Sequence, residues 1–503
     1  MLTREGRAAS RSQSGQMGDG RPLCNGRQPC RRRRPTPIVP LLIIDAVKRM
    51  SALLRNAFGA LALLVLILAH QPARAGVFNP EVFSLSNGMQ VIVVENRRAP
   101  VVTHMVWYRV GAIDEPPGQS GIAHLLEHLM FKGTATRAPG EFSAIVARHG
   151  GQENAFTSHD FTAFFQNIAR DRLGLMMALE ADRMRGLRLT EDVVELEKKV
   201  VLEERLQRVD NEPAARLAEQ VAAVQFFNSN YKRPVIGWEH EIRALTTEAV
   251  LTFYRTWYHP SNAILVVAGD VTPSEVRRLA EDTYGRLPPQ AVPRPLDLGE
   301  PEQSVARRVV MQDERVRQPA WSRSYLAPSL LTPGREDAHA LQVFAELLGG
   351  GPTSRLYRRL VVEQQIAVSA WASYDAMRRG PSRFLVGASP RPGVNAATLQ
   401  TAVEEVIGAV LAGGVEETEI DRAKRRLLAE AVYARDSLTR GAQLFGEAAA
   451  IGAGVAAVEE WPEKIAAIAR ADVEKAARRV LVLERSVTAV LEPRPAAAAE
   501  ASQ

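Results

Sequence analysis

Two histidines four residues apart in an apolar segment, His124 and His128 within Gly121-Ile-Ala-His-Leu-Leu-Glu-His-Leu-Met-Phe-Lys-Gly-Thr134, are the residues of this chain best placed to do chemistry. On a helix, positions four apart lie on one face a turn from each other, so both imidazoles can reach a single metal ion. Zinc is the natural candidate for such a site. Glu127 stands directly before the second histidine, which puts its carboxylate near the same ion without making it a necessary ligand. Metal-assisted hydrolysis needs this combination: the ion lowers the pKa of a water and the carboxylate removes its proton. The order H-x-x-E-H reverses the commoner H-E-x-x-H and is the inverzincin pattern.

A catalytic zinc needs a third protein ligand and one open position. The segment Thr190-Glu-Asp-Val-Val-Glu-Leu-Glu-Lys-Lys-Val-Val-Leu-Glu-Glu-Arg-Leu-Gln-Arg-Val209 opens with a threonine followed by acids, the signature of a helix start. Most of its glutamates have a simple explanation as a solvated face. Glu197 and Glu204 stand seven apart and share a face.

The His124–His128 motif followed by Glu204, 76 positions after His128, resembles the pitrilysin/insulinase (M16) family of zinc metallopeptidases, in particular its short bacterial members similar to the processing-peptidase β subunit. The resemblance implies that His124, His128 and Glu204 hold one Zn2+ per chain, that Glu127 is the general base and that Glu197 supports the site from nearby. Other stretches carry the likeness along the chain. Phe83-Ser-Leu-Ser-Asn-Gly-Met-Gln-Val-Ile-Val-Val94 resembles the family's opening strand pair, with Asn87-Gly88 as its turn. Gly150-Gly-Gln-Glu-Asn-Ala-Phe-Thr-Ser-His-Asp-Phe-Thr162 resembles its substrate-facing strand, and Asn262-Ala-Ile-Leu-Val-Val-Ala-Gly-Asp-Val271 a later core strand. Asn154, Ala155, Phe156 and Thr157 are then the expected substrate-binding residues, receiving an extended peptide as an added strand.

The chain of 503 residues suggests at least two large domains. Its net charge of +6 invites a nucleic-acid reading, but residues 1–75 hold thirteen of the 63 basic residues and three of the 57 acidic ones. The remainder is slightly acidic, without a basic stripe interleaved with aromatics, so no nucleic-acid partner is expected. Met50-Ser-Ala-Leu-Leu-Arg-Asn-Ala, the apolar run Phe58–Ala69 and Ala73-Arg-Ala75 have the order of a secretory signal peptide. Residues 1–49 read as an extension that is disordered or not translated, 50–75 as the signal and Gly76 as the mature start, giving a periplasmic or secreted protein without stable membrane insertion. An uncleaved anchor is the alternative. Both cysteines, Cys24 and Cys30, precede Met50, so the exported part would contain no disulfide and its zinc site must use histidine and carboxylate.

The expected fold is α+β, two homologous α/β-sandwich domains that form half of a clamshell chamber: a zinc-binding domain over 76–287, a linker over 288–305 marked by Pro288, Pro289, Pro293 and Pro295, a metal-free repeat over 306–492 and a tail over 493–503. Val101–Val110 and Arg172–Met184 read as strand and helix in the first half. In the second, Val305–Met311, Gln318–Ala327 and Phe384–Ser389 read as strands and Asp337–Leu348 as a helix standing where the first half has its histidines; His339 has no second histidine four residues on. Gly349-Gly-Gly-Pro-Thr-Ser-Arg-Leu-Tyr357 follows a helix and lacks a P-loop lysine, so it reads as a helix stop and turn.

One departure from the family bears on mechanism. Active members carry an arginine and a tyrosine in a second-domain pattern like R-E-x-x-G-L-A-Y, which hold substrate and oxyanion. The matching stretch here is Val361-Val-Glu-Gln-Gln-Ile-Ala-Val368, with valines at both places, and valine donates no side-chain hydrogen bond. The expected function is therefore a zinc-dependent endopeptidase acting on peptides as the zinc-bearing subunit of a heterodimer, whose paralogous partner supplies the Arg/Tyr pair. A homodimer is the runner-up, and a non-catalytic scaffold or assembly subunit of the same fold is the alternative in a different functional class.

Overall fold

The computed structural model describes residues 78–293 and 299–494. The proposed signal segment, the extension before it, both cysteines and the end of the proposed tail lie outside the described residues. Asn87-Gly88 turns the chain between β1 (Glu81–Ser84) and β2 (Gln90–Glu95), with Gly88 at φ 89°, a left-handed conformation that glycine adopts without strain. β3 (Val101–Tyr108), β4 (Gln152–Thr157), β5 (Thr162–Ala169) and β6 (Ala263–Gly269) complete a sheet of order β1-β2-β6-β3-β5-β4. β2 and β6 run parallel and the other neighbours antiparallel. β4 is an edge strand.

The second sheet repeats this path without a counterpart of β1. It is built from β7 (Arg307–Asp313), β8 (Ala320–Ala327), β9 (Ala367–Tyr374), β10 (Ser382–Pro390) and β11 (Ser486–Pro493) in the order β7-β11-β8-β10-β9. Again the first pair is parallel and the rest antiparallel. The helix Ala338–Gly349 lies between β8 and β9, as Ile122–Leu129 lies between β3 and β4. The described residues 288–293 and 299–306 form neither helix nor strand.

Every residue of β6 is buried, which requires cover on both faces of the sheet. Helices of the first half cover one face, where Val91, Val93, Val106 and Leu265 pack with Leu125, Leu126, Met176 and Met177. The other face, with Ile92, Met105, Trp107, Ile264 and Val266, is covered from the second half by Ala442, Phe445 and Ala449 of the helix Leu438–Ile451. The exchange is reciprocal: Leu217 and Val221 of the helix Pro213–Gln225 pack on Val487, Ala489 and Leu491 of β11. Each half thus lends a helix to the other's sheet.

The approach of Leu438–Ile451 to the first sheet is close enough to need glycine. A methyl group at Gly446 would collide with the Trp107 indole, whereas one at Gly408, also in a helix interior, would meet nothing. Gly446→Ala is expected to destabilise the chain by about 1–3 kcal/mol through overpacking. Gly408→Ala should be neutral or stabilising by up to about 1 kcal/mol through helix propensity. Urea unfolding of the two variants checks both.

Candidate metal centre

The histidine helix, Ile122–Leu129, is short and apolar almost all round, with Ile122, Ala123, Leu125, Leu126 and Leu129 fully buried. Eight residues make a marginal helix alone, so its rigidity comes from this packing. Gly121 starts it at φ 86°, and a side chain there would press on the Ile236 carbonyl at 2.6 Å. The buried Glu115 accepts hydrogen bonds from the N–H groups of Gly121 and Ala123 at 3.0 and 3.1 Å, satisfying donors that the first turn leaves free.

The second support is the acidic helix Glu191–Arg205, continued by a π-helical turn over Leu206–Asp210. Thr190 occupies the N-cap, but its hydroxyl makes no capping hydrogen bond, so Glu191 and Asp192 in the first turn carry the favourable interaction with the helix dipole. Val194 and Val201 anchor the helix in the first core and turn Glu197 and Glu204 toward the histidines.

The structure brings His124, His128 and Glu204 together, with one donor atom of each within 4.8 Å of the others. Glu204 Oε2 lies 3.7 Å from His124 Nε2 and 3.3 Å from His128 Nε2. Tetrahedral ligands held about 2.1 Å from an ion stand about 3.4 Å apart, so two nitrogens and a carboxylate oxygen at these separations suit zinc. The neighbours aim these donors. His128 Nδ1 hydrogen-bonds Glu197 at 3.0 Å, which turns Nε2 toward Glu204, and Glu197 is held in turn by Lys132 Nζ at 2.7 Å. Arg208 Nη1 takes the other oxygen of Glu204 at 2.6 Å.

Electrostatics follow from this arrangement. Burial and the neighbouring His128 hold His124 below the ordinary histidine range. Burial pulls His128 the same way, but its hydrogen bonds to Glu197 and Glu204 outweigh it and raise the ring to about 9. Glu204 is kept low by the hydrogen bond to His128. Burial pushes the Glu127 carboxyl up, against a short hydrogen bond from Thr157 Oγ1 to Glu127 Oε2 at 2.5 Å.

The four residues expected to bind substrate separate in space. Asn154 is exposed on β4 and accepts a hydrogen bond from the Ala155 N–H, and Ala155 packs partly against the first core. Phe156 turns to the opposite face and meets Trp107 and Phe161 edge-on. Thr157 reaches Glu127 rather than open space. Its contact with Glu127, and those of Lys132, Arg208 and Glu115, were not evident from the sequence. Lys132 and Arg208 each follow a site residue by four, a spacing that signals an i,i+4 neighbour.

In the second half, Val361 lies in the π-helical segment Tyr357–Glu363 partly against the core, and Val368 is exposed on β9. Gln365 adopts φ 54°, a left-handed conformation at the place where the family pattern has glycine, which supports the matching of this stretch to that pattern. Gly349 packs on the backbone of Ala372 and Gly351 on the Arg426 guanidinium, so the glycine run closes a helix against β9.

The chain is similar to known proteins over both of its halves. A family model described as insulinase (peptidase family M16) matches residues 90–238, spanning all four site residues, and one described as peptidase M16 inactive domain matches 244–427. The zinc protease PqqE of Helicobacter pylori is 33% identical over 390 residues, 76% of this chain and 86% of that protein. An uncharacterised zinc protease of Mycobacterium leprae is 30% identical over 354 residues, 68% of this chain and 76% of its own. The crystal structure of a protease from Helicobacter pylori superposes with a TM-score of 0.78 at 30% identity, covering 82% of this chain and 99% of that one. The periplasmic protease PqqL of Escherichia coli, 17% identical with a TM-score of 0.71 over 82% of this chain and 48% of its own, shares the fold. The chain belongs to the M16 peptidase family.

Glu204→Ala should leave less than stoichiometric zinc after dialysis, because two histidines alone make an incomplete site. Glu197→Gln should keep the ligands but weaken zinc binding about 10- to 100-fold by releasing the His128 ring. Metal analysis and chelator competition read both.

Proposed function

We propose that this chain is a zinc-dependent endopeptidase and the zinc-bearing subunit of a heterodimer. The observation that carries the reading is the half-buried Glu127 carboxylate, which lies on the same short helix as the two histidines that meet Glu204 and is held by Thr157 of β4. A scaffold would need neither a poised base nor a supported ligand set. His124, His128 and Glu204 would hold the ion. Zinc, when bound, lowers the pKa of a water and polarises a carbonyl.

The protein's own groups do the rest. Glu127, raised by burial, takes the proton of the attacking water and returns one to the leaving amine. β4, an edge strand among the described residues, offers backbone hydrogen bonds to an extended peptide, an affinity that depends little on side chains. Glu197, Lys132 and Arg208 keep the ligand side chains aimed. Val361 and Val368 leave the second half without the donors that would hold substrate and oxyanion, so a paralogous partner supplies the arginine and tyrosine. Among the described residues no helix is long and apolar enough to cross a membrane, and the order of residues 50–75 supports export to the periplasm or beyond.

Glu127→Gln is expected to lower peptide hydrolysis about 10²- to 10⁴-fold while zinc content stays at the wild-type level. Retained hydrolysis would exclude Glu127 as the base. The purified chain should cleave an unstructured reporter peptide weakly, with activity rising on addition of a paralogous subunit that carries the Arg/Tyr pair. Full activity from a monodisperse single-chain preparation would refute the heterodimer.

A further inference from the structure

The connection between β9 and β10 leaves the second half and packs among the loops of the first. Arg379 donates Nη1 and Nη2 to the two carboxylate oxygens of Asp114 at 2.8 and 2.9 Å, with only 13% and 3% of the two side chains exposed. Nη1 also reaches the Asp160 carbonyl at 3.4 Å. Beside it the Gly380 N–H donates to the Tyr231 hydroxyl at 3.1 Å, and that hydroxyl donates to Asp160 Oδ1 at 2.5 Å. A side chain at Gly380 would press on the Tyr231 ring at 2.7 Å. Five residues from the two halves therefore form one largely buried polar cluster.

Two routes lead from this cluster to the metal centre. In the first, Asp114 directly precedes Glu115, whose carboxylate caps the opening turn of the histidine helix through Gly121 and Ala123. Arg233 Nη1 fixes the Glu115 carbonyl at 2.9 Å, so the segment is held on both sides. In the second, the N–H groups of Ala112 and Ile113 donate to the carbonyls of Ser158 and His159 at 3.1 and 3.0 Å. Ser158 follows Thr157, and Thr157 holds Glu127. The same guanidinium thus bears on the support of the helix that carries His124 and His128 and on the support of the base.

We infer that Arg379, in the half without metal ligands, is a positioning residue for the metal centre: its forked ion pair with Asp114 fixes the start of the histidine helix and the β4–β5 turn relative to each other. The inference rests on the peptidase reading above and adds a task for the second half. Lysine at 379 would keep the charge but lose the two-pronged geometry. Phenylalanine at 231 would remove the neighbouring hydrogen bonds while leaving the ion pair intact.

The test uses the full chain loaded with zinc, assayed together with its partner subunit if activity requires one. Zinc transfer to an excess of a chromogenic chelator, kcat, KM and the thermal midpoint are compared for wild type, Arg379→Lys and Tyr231→Phe, well below the midpoint. The expected result is zinc release about 10-fold faster in Arg379→Lys, with kcat lower by about the same factor and KM changed less than about twofold, and a smaller effect of the same kind in Tyr231→Phe. A purely structural role would lower the midpoint and leave zinc release unchanged. Wild-type release rates in both variants would overturn the inference alone. A wild-type chain that takes up no zinc would overturn the peptidase reading and this inference with it.

Discussion

Two imidazoles and one carboxylate must meet within a few ångströms although the carboxylate lies 76 residues further along the chain. This convergence sets the demands on everything around it. The helix bearing the histidines is too short to be stable by itself, so it is buried nearly all round and capped from a distance by Glu115. The acidic helix meets the opposite demand: it exposes most of its charges, yet Val194 and Val201 fix the one face on which Glu197 and Glu204 reach inward. A polar group in such a place has to be partnered, and His128, Glu197 and Lys132 form a chain in which each side chain restricts the next.

The duplicated architecture gives the second half a physical task even without metal ligands. Each sheet buries one face against a helix of the other half, so neither sheet is fully covered alone. The apolar seam between Trp107 and the glycine- and alanine-rich helix Leu438–Ile451 supplies much of the contact. The buried ion pair of Arg379 and Asp114 sets the halves in register, because a charge left without its partner there would be costly. Cohesion and alignment are thus divided between apolar packing and a few directional polar contacts.

Much of this was legible in the sequence where the signal is local. The spacing of His124 and His128, the Asn87-Gly88 turn and the alternation or continuous apolarity of β2, β3 and β6 each report a backbone state within a few residues. Helical spacing places Glu197 and Glu204 on one face; that Glu204 meets Nε2 of both histidines while Glu197 takes Nδ1 of His128 depends on how two helices cross, and spacing does not encode it. The helix exchange was hidden for the same reason. The apolar faces of Pro213–Gln225 and Leu438–Ile451 say that they are buried, not against which sheet. The local pattern at Thr157 specifies a strand and not its contact with Glu127, and nothing local marks Arg379, whose partner lies 265 residues earlier.

A peptidase of this kind needs one ion shared by three side chains. Crystals of the zinc-loaded chain, measured on both sides of the zinc absorption edge, would give an anomalous difference map that tests it directly. One strong peak per chain is expected within bonding distance of His124 Nε2, His128 Nε2 and the Glu204 carboxylate. A map with no peak there, or with its zinc bound elsewhere while these side chains keep their positions, would contradict it.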